Sequence, residues 1–475
     1  MRRPIENACL AIMALVASSS LQGAAPAPPS AVRLDTAQQR DAAAWVAANA
    51  HPFNPGAIGD DVYAGIIDAL GPADVYGLGE VTHGTHEDQQ FKADLIKALV
   101  RSGRVDRLAL EANYTVGMAF DRYVKTGVGD PVALVRSKDF FRIWKGDEFA
   151  GLLTWLRAYN LQAAHPVSII AVDIQLPGRD LPIALADLAR RDPHAADAFR
   201  KQLKPFLARQ SEEPPRFSRV WLELTRPQRA AATAAAKALL TRFDTEPKLQ
   251  RGPGFGTAHE AARRAWQGMS SYEMIGEKSP SQEEVSRRDR YMGENLLREA
   301  AGAHGVALWA HNSHVAANYD QIYEDEGQLT LGRVVMKSIG SRYRTVGATY
   351  SKAAVMITQA HLSGTAALST DVDDKVHILA NDGPQTTGAL FDLAAEPSHA
   401  QAMWLRAPTP TETSAPSGVE RGDFFFGEAG WLYNPATFQK DPEDAAGSKL
   451  NTYDVLVWFK ELTPQHRWPN VPKAK

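Results

Sequence analysis

The chain of 475 residues is 44% hydrophobic and 23% charged, which is an ordinary composition for a soluble globular enzyme. This length is too great for one simple hydrophobic core, so two or three structural units are expected. The formal net charge of −3, without a long run of either sign, argues against a nucleic-acid partner, because such proteins usually present a basic face.

Residues 1–25 have the pattern of a signal peptide. Two arginines provide a charged start, residues 9–17 are apolar, and small residues at 23–25 offer a cleavage site. The apolar stretch is too short to span a bilayer, and no later segment has about 18 consecutive apolar residues. We therefore expect a periplasmic or secreted protein without a stable membrane span, in which the Pro-rich residues 26–35 form a linker.

Cys9, the only cysteine of the chain, lies inside this predicted signal peptide. The mature chain would then contain no thiol nucleophile, no disulfide and no cysteine-based metal site. Core burial alone would have to hold an exported protein of this size together.

Residues 36–180 are predicted to alternate between helices and strands and to form the first part of an α/β core. The predicted elements include helices at 36–50 and 60–70 and strands at 75–79, 107–110 and 167–172. The strand at 167–172 is almost continuously apolar, which is typical of a strand covered on both faces.

Residues 181–300 show helical patterns and no credible strand, so we predict a helical subdomain inserted between the third and fourth strands. The fourth strand, at 306–310, begins the second part of the core, which covers residues 301–353. Short strands in residues 354–475 indicate a small α+β region that completes the core. The expected fold class is therefore α/β, with a mostly parallel central sheet, flanking helices, the inserted helical subdomain and the small C-terminal region.

Each of the four predicted core strands ends at an acid or a histidine. These residues are Glu80, Glu111, Asp173 and His311. In an open α/β sheet, ligands bind beyond the carboxyl ends of the strands. Two of the ends are dense in such residues, at 77–87 and 308–314, and together they would place two glutamates and up to four histidines around one cleft. That arrangement suits acid–base chemistry on a small molecule.

Glu80 and His83 lie three residues apart on a predicted strand-to-helix loop, which they share with His86. Histidine is suited to take a proton from water near pH 7, and a neighbouring carboxylate would fix its tautomer and stabilise its charged form. The alternative is that Glu80 and His83 only hold the loop in place through hydrogen bonds.

Glu111 directly follows a buried apolar strand, where a carboxylate is costly unless it is paired or faces a cleft. The alternative to a functional role is a structural salt bridge. His311 and His314 follow another strand, and hydrogen bonding within a loop is the alternative for them. Arg288, on the helix before that strand, could hold a substrate carbonyl or a carboxylate partner.

Several common catalytic motifs are missing from the sequence. It contains no Gly-x-Ser-x-Gly elbow, no Walker loop, no Gly-x-Gly-x-x-Gly after a strand and no His-Glu-x-x-His helix. A serine hydrolase of the usual α/β type is therefore not expected. The histidines and glutamates at the strand ends could still hold a metal ion, because three or four nitrogen and oxygen ligands are present.

Five segments, in order along the chain, resemble the erythromycin esterase family. They are Gly-Glu-Val-Thr-His-Gly-Thr-His-Glu at 79–87, Leu-Glu-Ala-Asn at 110–113, the aromatic-rich stretch 144–160, Arg-Asp-x-x-Met-x-Glu-Asn at 288–295, and Trp-Ala-His-Asn-x-His at 309–314. The resemblance implies a hydrolase that opens an ester, such as the lactone of a macrolide, without a serine nucleophile.

By this resemblance, the histidine of the first motif is the general base on a water, and the histidine of the last motif lies near the scissile carbonyl. The predicted catalytic residues are Glu80, His83, Glu111 and His311, and the predicted substrate-binding residues are His86, Lys92, Arg288 and His314. Lys92 differs from the arginine that some members carry there, which would weaken bidentate contacts. We predict a small-molecule ester as the partner, with no cofactor, no nucleic acid and no protein partner.

Two other functions remain open at this point. One is a metal-dependent hydrolase that uses the same histidines and glutamates as ligands. The other is a periplasmic binding protein that keeps the cleft but does not catalyse a reaction.

Overall fold

The computed structural model describes residues 34–137, 139–208, 221, 223–274, 281–317, 329–355, 358–359, 376–383, 385–408, 415–420, 424, 426, 432–433 and 450–466. The predicted signal peptide and most of the predicted linker lie outside these residues. Within the described part, no helix is both long enough and apolar enough to cross a membrane.

The strands of the described residues form one large sheet and one small pair. The strands are β1 (His51–Phe53), β2 (Val75–Leu78), β3 (Arg107–Asn113), β4 (Ser168–Asp173), β5 (Val306–Trp309), β6 (Tyr343–Val355), β7 (Thr358–Gln359), β8 (His377–Ala380), β9 (Ala402–Arg406), β10 (Leu432–Tyr433) and β11 (Val455–Leu462). The large sheet has the order β1-β9-β11-β6-β2-β5-β3-β4, with β8 paired to β6, and β10 pairs with β7.

The five neighbouring pairs from β11 to β4 in this order are all parallel. Antiparallel pairing occurs only at β1, β8 and β9 among the described strands of this sheet. The predicted fold class, a mostly parallel central sheet with flanking helices, is confirmed.

The described helices lie before and between the strands along the chain. They are α1 (Thr36–Asn49), α2 (Asp60–Leu70), α3 (His86–Arg101), α4 (Tyr114–Thr126), α5 (Pro131–Arg136), α6 (Asp147–Asn160), α7 (Pro177–Arg191), α8 (Pro193–Gln202), α9 (Lys204–Leu207), α10 (Arg226–Thr245), α11 (Phe255–Ser271), α12 (Gln282–Glu299), α13 (Asn312–Val315), α14 (Leu331–Ile339), α15 (Thr387–Ala395) and α16 (Ser417–Glu420).

Helix α3 shows how sequence periodicity places these helices on the sheet. Phe91, Leu95, Ile96 and Leu99 recur at the three- and four-residue spacing of one helix face, and all four are buried. Each of these side chains removes apolar surface from water, which stabilises the packed helix by about 2 kcal/mol per residue. The same helix carries the residues that follow the first motif loop.

The helices between β4 and β5 are divided between two hydrophobic cores. Buried residues from Leu176 to Tyr272 form a core of their own, built mainly by α7, α10 and α11. Met292 and Leu296 of α12 instead pack in the core around the sheet. The region predicted as a helical insertion, 181–300, therefore ends in a helix whose apolar face belongs to the sheet layer.

Candidate active site

The candidate site lies at the carboxyl ends of four neighbouring parallel strands. β2, β5, β3 and β4 are adjacent in this order, so the residues at their ends lie side by side. Glu80 follows β2, His311 follows β5, Glu111 lies near the end of β3, and Asp173 ends β4. All four residues are buried. The structure thus brings together the strand ends that the sequence singled out.

Two glycines allow the loop after β2 to adopt its path. A Cβ atom at Gly79 would lie 2.3 Å from Asn312 Oδ1 and 3.1 Å from the Asn312 backbone, so the loop approaches α13 too closely for a side chain. Gly84 has a φ of 80°, in the left-handed region that favours glycine. These two positions hold the segment that carries Glu80 and His83 against the end of β5.

Glu80 is a fully buried carboxylate that accepts hydrogen bonds on both oxygens. Trp144 Nε1 donates to Oε1 at 2.7 Å, and His83 Nδ1 is hydrogen-bonded to the same oxygen. Lys92 Nζ donates to Oε2 at 2.8 Å, and Trp309 Nε1 donates to it at 3.1 Å. Four donors around one carboxylate favour its charged form.

Burial by itself raises the pKa of Glu80, but the positive charges of Lys92 and His83 and their hydrogen bonds outweigh it and lower the pKa to about 2. The carboxylate is therefore ionised at neutral pH. An ionised carboxylate can only accept a hydrogen bond, so Nδ1 of a neutral His83 carries the proton and Nε2 is left as the basic nitrogen.

His311 has the opposite tautomer. The backbone N–H of Ser313 donates to His311 Nδ1 at 3.3 Å, and the hydroxyl of Ser313 lies 2.9 Å from the same nitrogen. A backbone N–H can only donate, so the proton of the neutral ring is on Nε2. That Nε2 is buried and has no hydrogen-bond partner within the described part of the chain.

His311 stays neutral because of where it is placed. Burial lowers the pKa of His311, the positive charges of His83 and His314 lower it further, and the resulting pKa is about 3. The ring centroids of His83 and His311 are 5.0 Å apart. The buried group therefore contains two neighbouring imidazoles: His83 offers a basic Nε2, and His311 offers an Nε2–H donor.

A second group of charged side chains, Glu111, Arg288 and Asp173, contacts His311 through its backbone. Glu111 Oε2 accepts the backbone N–H of His311 at 3.0 Å, and Glu111 Oε1 accepts from Arg288 Nη2 at 2.8 Å. Arg288 also binds Asp173 with both arms, at 2.9 and 3.0 Å. This bidentate pair joins α12 to the ends of β3 and β4. Glu111 therefore has the salt bridge that the sequence left open, in addition to its contact with His311.

His314 faces carboxylates on both ring nitrogens. Nδ1 lies 2.5 Å from Asp289 Oδ1, and Nε2 lies 3.2 Å from Glu111 Oε1 and 3.1 Å from Arg288 Nη1. Burial lowers the pKa of His314, but the charges of Asp289 and Glu111 outweigh it and raise the pKa to about 10. His314 is thus an imidazolium at neutral pH, whereas His311, three residues away, is neutral. Burial alone also raises the pKa of Glu111, but the neighbouring positive charges, His314 first, hold it well below its usual range.

Two predicted substrate-binding residues, Lys92 and His86, are bound to carboxylates of the protein. Lys92 is 1% exposed, and its ammonium group lies against Glu80 and over the ring of Trp309, 4.7 Å from the centroid. His86 Nδ1 lies 2.6 Å from Glu148 Oε1, and the His86 ring stacks on the ring of His466. Arg288 and His314, as described, belong to the group of charged side chains around Glu111.

Three residues that build the site had no role assigned to them in the sequence analysis. Trp144 and Trp309 donate their indole N–H groups to Glu80, and Asp289 holds His314. Both tryptophans are fully buried, so a buried N–H in need of an acceptor was the available signal. Which acceptor each would meet depends on long-range packing that a single sequence does not reveal.

Residues 105–462 match the sequence profile of the erythromycin esterase family. The chain belongs to this family. The matched range begins after the segment 79–87 and includes the other four resembling segments, and it confirms the resemblance seen in the sequence.

Three solved structures share the fold. A Bacillus cereus protein has a TM-score of 0.68 at 19% identity, covering 92% of this chain and 100% of its own. A succinoglycan biosynthesis protein has a TM-score of 0.69 at 15% identity, covering 91% and 100%. A mutant of the erythromycin esterase EreC, in its open conformation, has a TM-score of 0.60 at 13% identity, covering 87% and 96%. At these identities the likeness concerns the fold alone.

Proposed function

We propose that the chain is a carboxylic-ester hydrolase in which His83 activates a water and His311 polarises the ester carbonyl. One observation carries the proposal: two neighbouring buried imidazoles are fixed in opposite tautomers, one with a basic nitrogen and one with an unpartnered N–H donor. Base and electrophile side by side are what water attack on a carbonyl requires. Membership of the erythromycin esterase family supports an esterase-like hydrolase.

In the proposed reaction, His83 Nε2 removes a proton from water as the water oxygen bonds to the carbonyl carbon. The carbonyl oxygen gains the electron pair of its π bond and accepts a hydrogen bond from His311 Nε2–H. When the tetrahedral intermediate collapses, the carbon–oxygen ester bond breaks, and His83 returns the proton to the leaving alcohol. Glu80 stabilises the imidazolium that exists between these steps.

Ser313 is the hydroxyl nearest to His311, but its geometry does not suit a nucleophile. Its hydroxyl contacts His311 Nδ1, and its own backbone N–H binds the same nitrogen. A base that already accepts a backbone hydrogen bond has less capacity to activate that hydroxyl. We therefore propose direct attack by water, without an acyl-enzyme.

The remaining predicted site residues act by positioning. Lys92 keeps Glu80 charged, and Glu111 fixes the backbone of His311, while Arg288 and His314 balance the charge of Glu111. This assigns Lys92 to support of the base instead of direct substrate contact. The reason is that the Lys92 ammonium group already donates to Glu80 Oε2 at 2.8 Å.

For the substrate we propose a macrolide lactone or a related acyl ester. The helical insertion begins with α7, which follows the carboxyl end of β4. It therefore borders the edge of the sheet that carries the proposed catalytic residues, and it can form one wall of a broad cleft. We also keep the proposal of a periplasmic or secreted location, which rests on the predicted signal peptide at residues 1–25.

The test is hydrolysis in water enriched in oxygen-18. Erythromycin, an acylated sugar and an aryl acetate are incubated with the full chain, and products and protein are followed by mass spectrometry. We expect at least one ester to gain one water, with the heavy oxygen in the carboxylic acid and no acyl group on the protein. Tight binding of these compounds without turnover would contradict the proposal and support the binding-protein function. A trapped acyl-protein would contradict the water mechanism.

A further inference from the structure

A second cluster of ligand-type side chains lies beside the motif loop. His86, Glu148 and His466 each offer one ligand atom, and these atoms all lie within 4.8 Å of one another. The proposed reaction uses none of them. His86 comes three residues after the proposed base, so the cluster is joined to the catalytic loop by a short piece of backbone.

The backbone holds His466 in the cluster. His86 N–H donates to Thr463 O at 2.8 Å, and Gln465 N–H donates to Gly84 O at 2.9 Å, so the segment 463–466 lies antiparallel to the motif loop. His466 itself is fixed on the first turn of α6: Asp147 N–H donates to its carbonyl at 2.9 Å. Its side chain is 58% exposed, and its ring stacks on the ring of His86 with the centroids 3.8 Å apart.

Glu148 is the buried member of the cluster. Its side chain is 1% exposed, and its Oε1 accepts the backbone N–H of His466 at 2.9 Å and lies 2.6 Å from His86 Nδ1. Its Oε2 is buried and has no hydrogen-bond partner among the described residues. A carboxylate oxygen left without a donor is costly, and an ion that binds it would remove that cost.

Gly146 shows that this position of the carboxylate depends on local space. A Cβ atom there would lie 2.1 Å from Glu148 Oε2, so the absence of a side chain at Gly146 leaves room for the oxygen in this position. Glu148 therefore lies buried beside His86 and His466, and no side chain at position 146 interferes with its carboxylate.

We propose that His86, Glu148 and His466 bind a divalent transition-metal ion, with Zn²⁺ as the best-matched choice. Two imidazoles and one carboxylate are a common protein ligand set for zinc, with water completing the shell. Ligand atoms on a tetrahedral zinc are about 3.3 Å apart, given bonds of about 2.0–2.1 Å. His466 Nδ1 lies 3.9 Å from Glu148 Oε1, so binding would require the exposed His466 ring to turn from its stack on His86.

The bound ion would act as a clamp. It would join the segment 463–466, the start of α3 and the start of α6. It would thereby stabilise the conformation of the loop that carries His83. Anything that binds the folded state alone raises its stability, so zinc should raise the melting temperature of the protein.

The test is zinc binding by the full chain after removal of metals with a chelator. Equilibrium dialysis with elemental analysis should find one Zn²⁺ per chain, and Co²⁺ should give a visible absorption band typical of nitrogen and oxygen ligands. His466→Ala should weaken binding at least about tenfold, since it removes one of three ligands. His165→Ala, which removes another exposed histidine, should bind as the wild type does.

Glu148→Gln provides a second variant that keeps the size of the side chain, and it should also weaken binding and abolish the rise in melting temperature with zinc. The proposal is overturned if the wild type binds no zinc, or if His466→Ala binds it as tightly as the His165→Ala control. The cluster would then be a His86–Glu148 pair with a stacked ring. None of these readouts requires a substrate or activity.

Discussion

At the scale of single residues, the site depends on which buried groups are charged. Glu80 and His314 are charged and His311 is neutral, although all three are buried within one small region. The difference follows from partners: Glu80 has four donors, and His314 has two carboxylates. His311 has a backbone N–H on one nitrogen and, among the residues that the structure describes, no hydrogen-bond partner on the other. Burial sharpens each of these differences, because it makes every unmatched charge expensive.

Lys92 provides a direct test of this electrostatic argument. Lys92→Met leaves the Glu80 carboxylate buried without its ammonium partner, and breaking such a pair costs about 3–5 kcal/mol. We expect the free energy of unfolding at neutral pH, measured in urea, to fall by about this amount. Lys92→Arg keeps the positive charge and should lose less. Equal stability of Lys92→Met and the wild type would show that Glu80 does not depend on this pair.

Ser313 separates the two hydrolytic mechanisms at the residue scale. Ser313→Ala removes the hydroxyl but keeps the backbone N–H that fixes the tautomer of His311. We expect kcat/KM for an aryl acetate to stay within about tenfold of the wild type, whereas loss of a nucleophile costs several orders of magnitude. A loss of the latter size would make Ser313 the nucleophile and reject direct water attack.

The residues of the site were only partly predictable from the sequence. Glu80, Glu111 and His311 stood out because each follows a predicted strand, and His83 stood out on the loop after the first of these strands. The strand order places those ends together. The contacts of Lys92 with Glu80 and of His86 with Glu148 were not foreseen, because their partners depend on the direction in which a side chain leaves its helix. Nothing local in the sequence reveals that direction.

At the scale of elements, the strands were found more reliably than their ends. β3 continues to Asn113, three residues beyond the predicted end at residue 110. No strand was predicted at residues 51–53, where β1 lies. It has three residues, includes Pro52 and pairs only with β9, so it is a short edge strand with little pattern to detect. Thr85 occupies the N-cap of α3, but its side chain makes no capping hydrogen bond.

Two helical glycines give a matched pair of predictions at this scale. A Cβ atom at Gly117 in α4 would lie 2.7 Å from Ala171 Cβ and 2.8 Å from Ala171 N, so Gly117→Ala must push α4 away from β4. We expect a loss of about 1–3 kcal/mol of stability. Gly151 in α6 has nothing within 4 Å of such an atom, so Gly151→Ala should stabilise by about 0.5–1 kcal/mol.

Thermal or urea unfolding of the two variants measures both effects. The opposite signs matter more than the sizes, because both substitutions add the same methyl group to a helix. If the two variants shift stability in the same direction, the close packing of α4 on β4 is not what requires Gly117.

At the scale of the whole molecule, buried polar contacts join the sheet core to the helical core. Asp180 of α7 accepts from Asn113 Nδ2 at 3.0 Å, and Arg264 of α11 donates to the carbonyl of Val172 at 2.8 Å. Asn295 of α12 donates to the same carbonyl at 3.1 Å. The helical region thus meets the sheet through specific hydrogen bonds at the carboxyl ends of β3 and β4, beside the proposed site.

Asp180 makes this junction sensitive to pH. Burial raises the pKa of Asp180 to about 8, and one of its oxygens is buried without a hydrogen-bond partner in the described part of the chain. The folded state therefore favours the protonated acid. Its contribution to stability is fully present below the unfolded value, near pH 4, and is lost as pH rises through about 8.

Asp180→Asn should remove this dependence, because asparagine does not titrate. Relative to the wild type, the variant should become more stable as pH rises from 4 to 8, by at least about 1 kcal/mol, since one pKa unit corresponds to about 1.4 kcal/mol. Urea unfolding at several pH values measures the difference. A constant difference between the two proteins across this range would show that Asp180 is not protonated in the fold.

The central claim is that His83 is the base that activates water for ester hydrolysis. The most direct measurement is kcat/KM of His83→Ala for an ester that the wild type hydrolyses, with circular dichroism and melting temperature confirming that the variant is folded. We expect a loss of about 10²–10⁴-fold, the usual contribution of a general base, and no loss in the His165→Ala control. A folded His83→Ala variant that keeps most of the wild-type turnover would contradict the account.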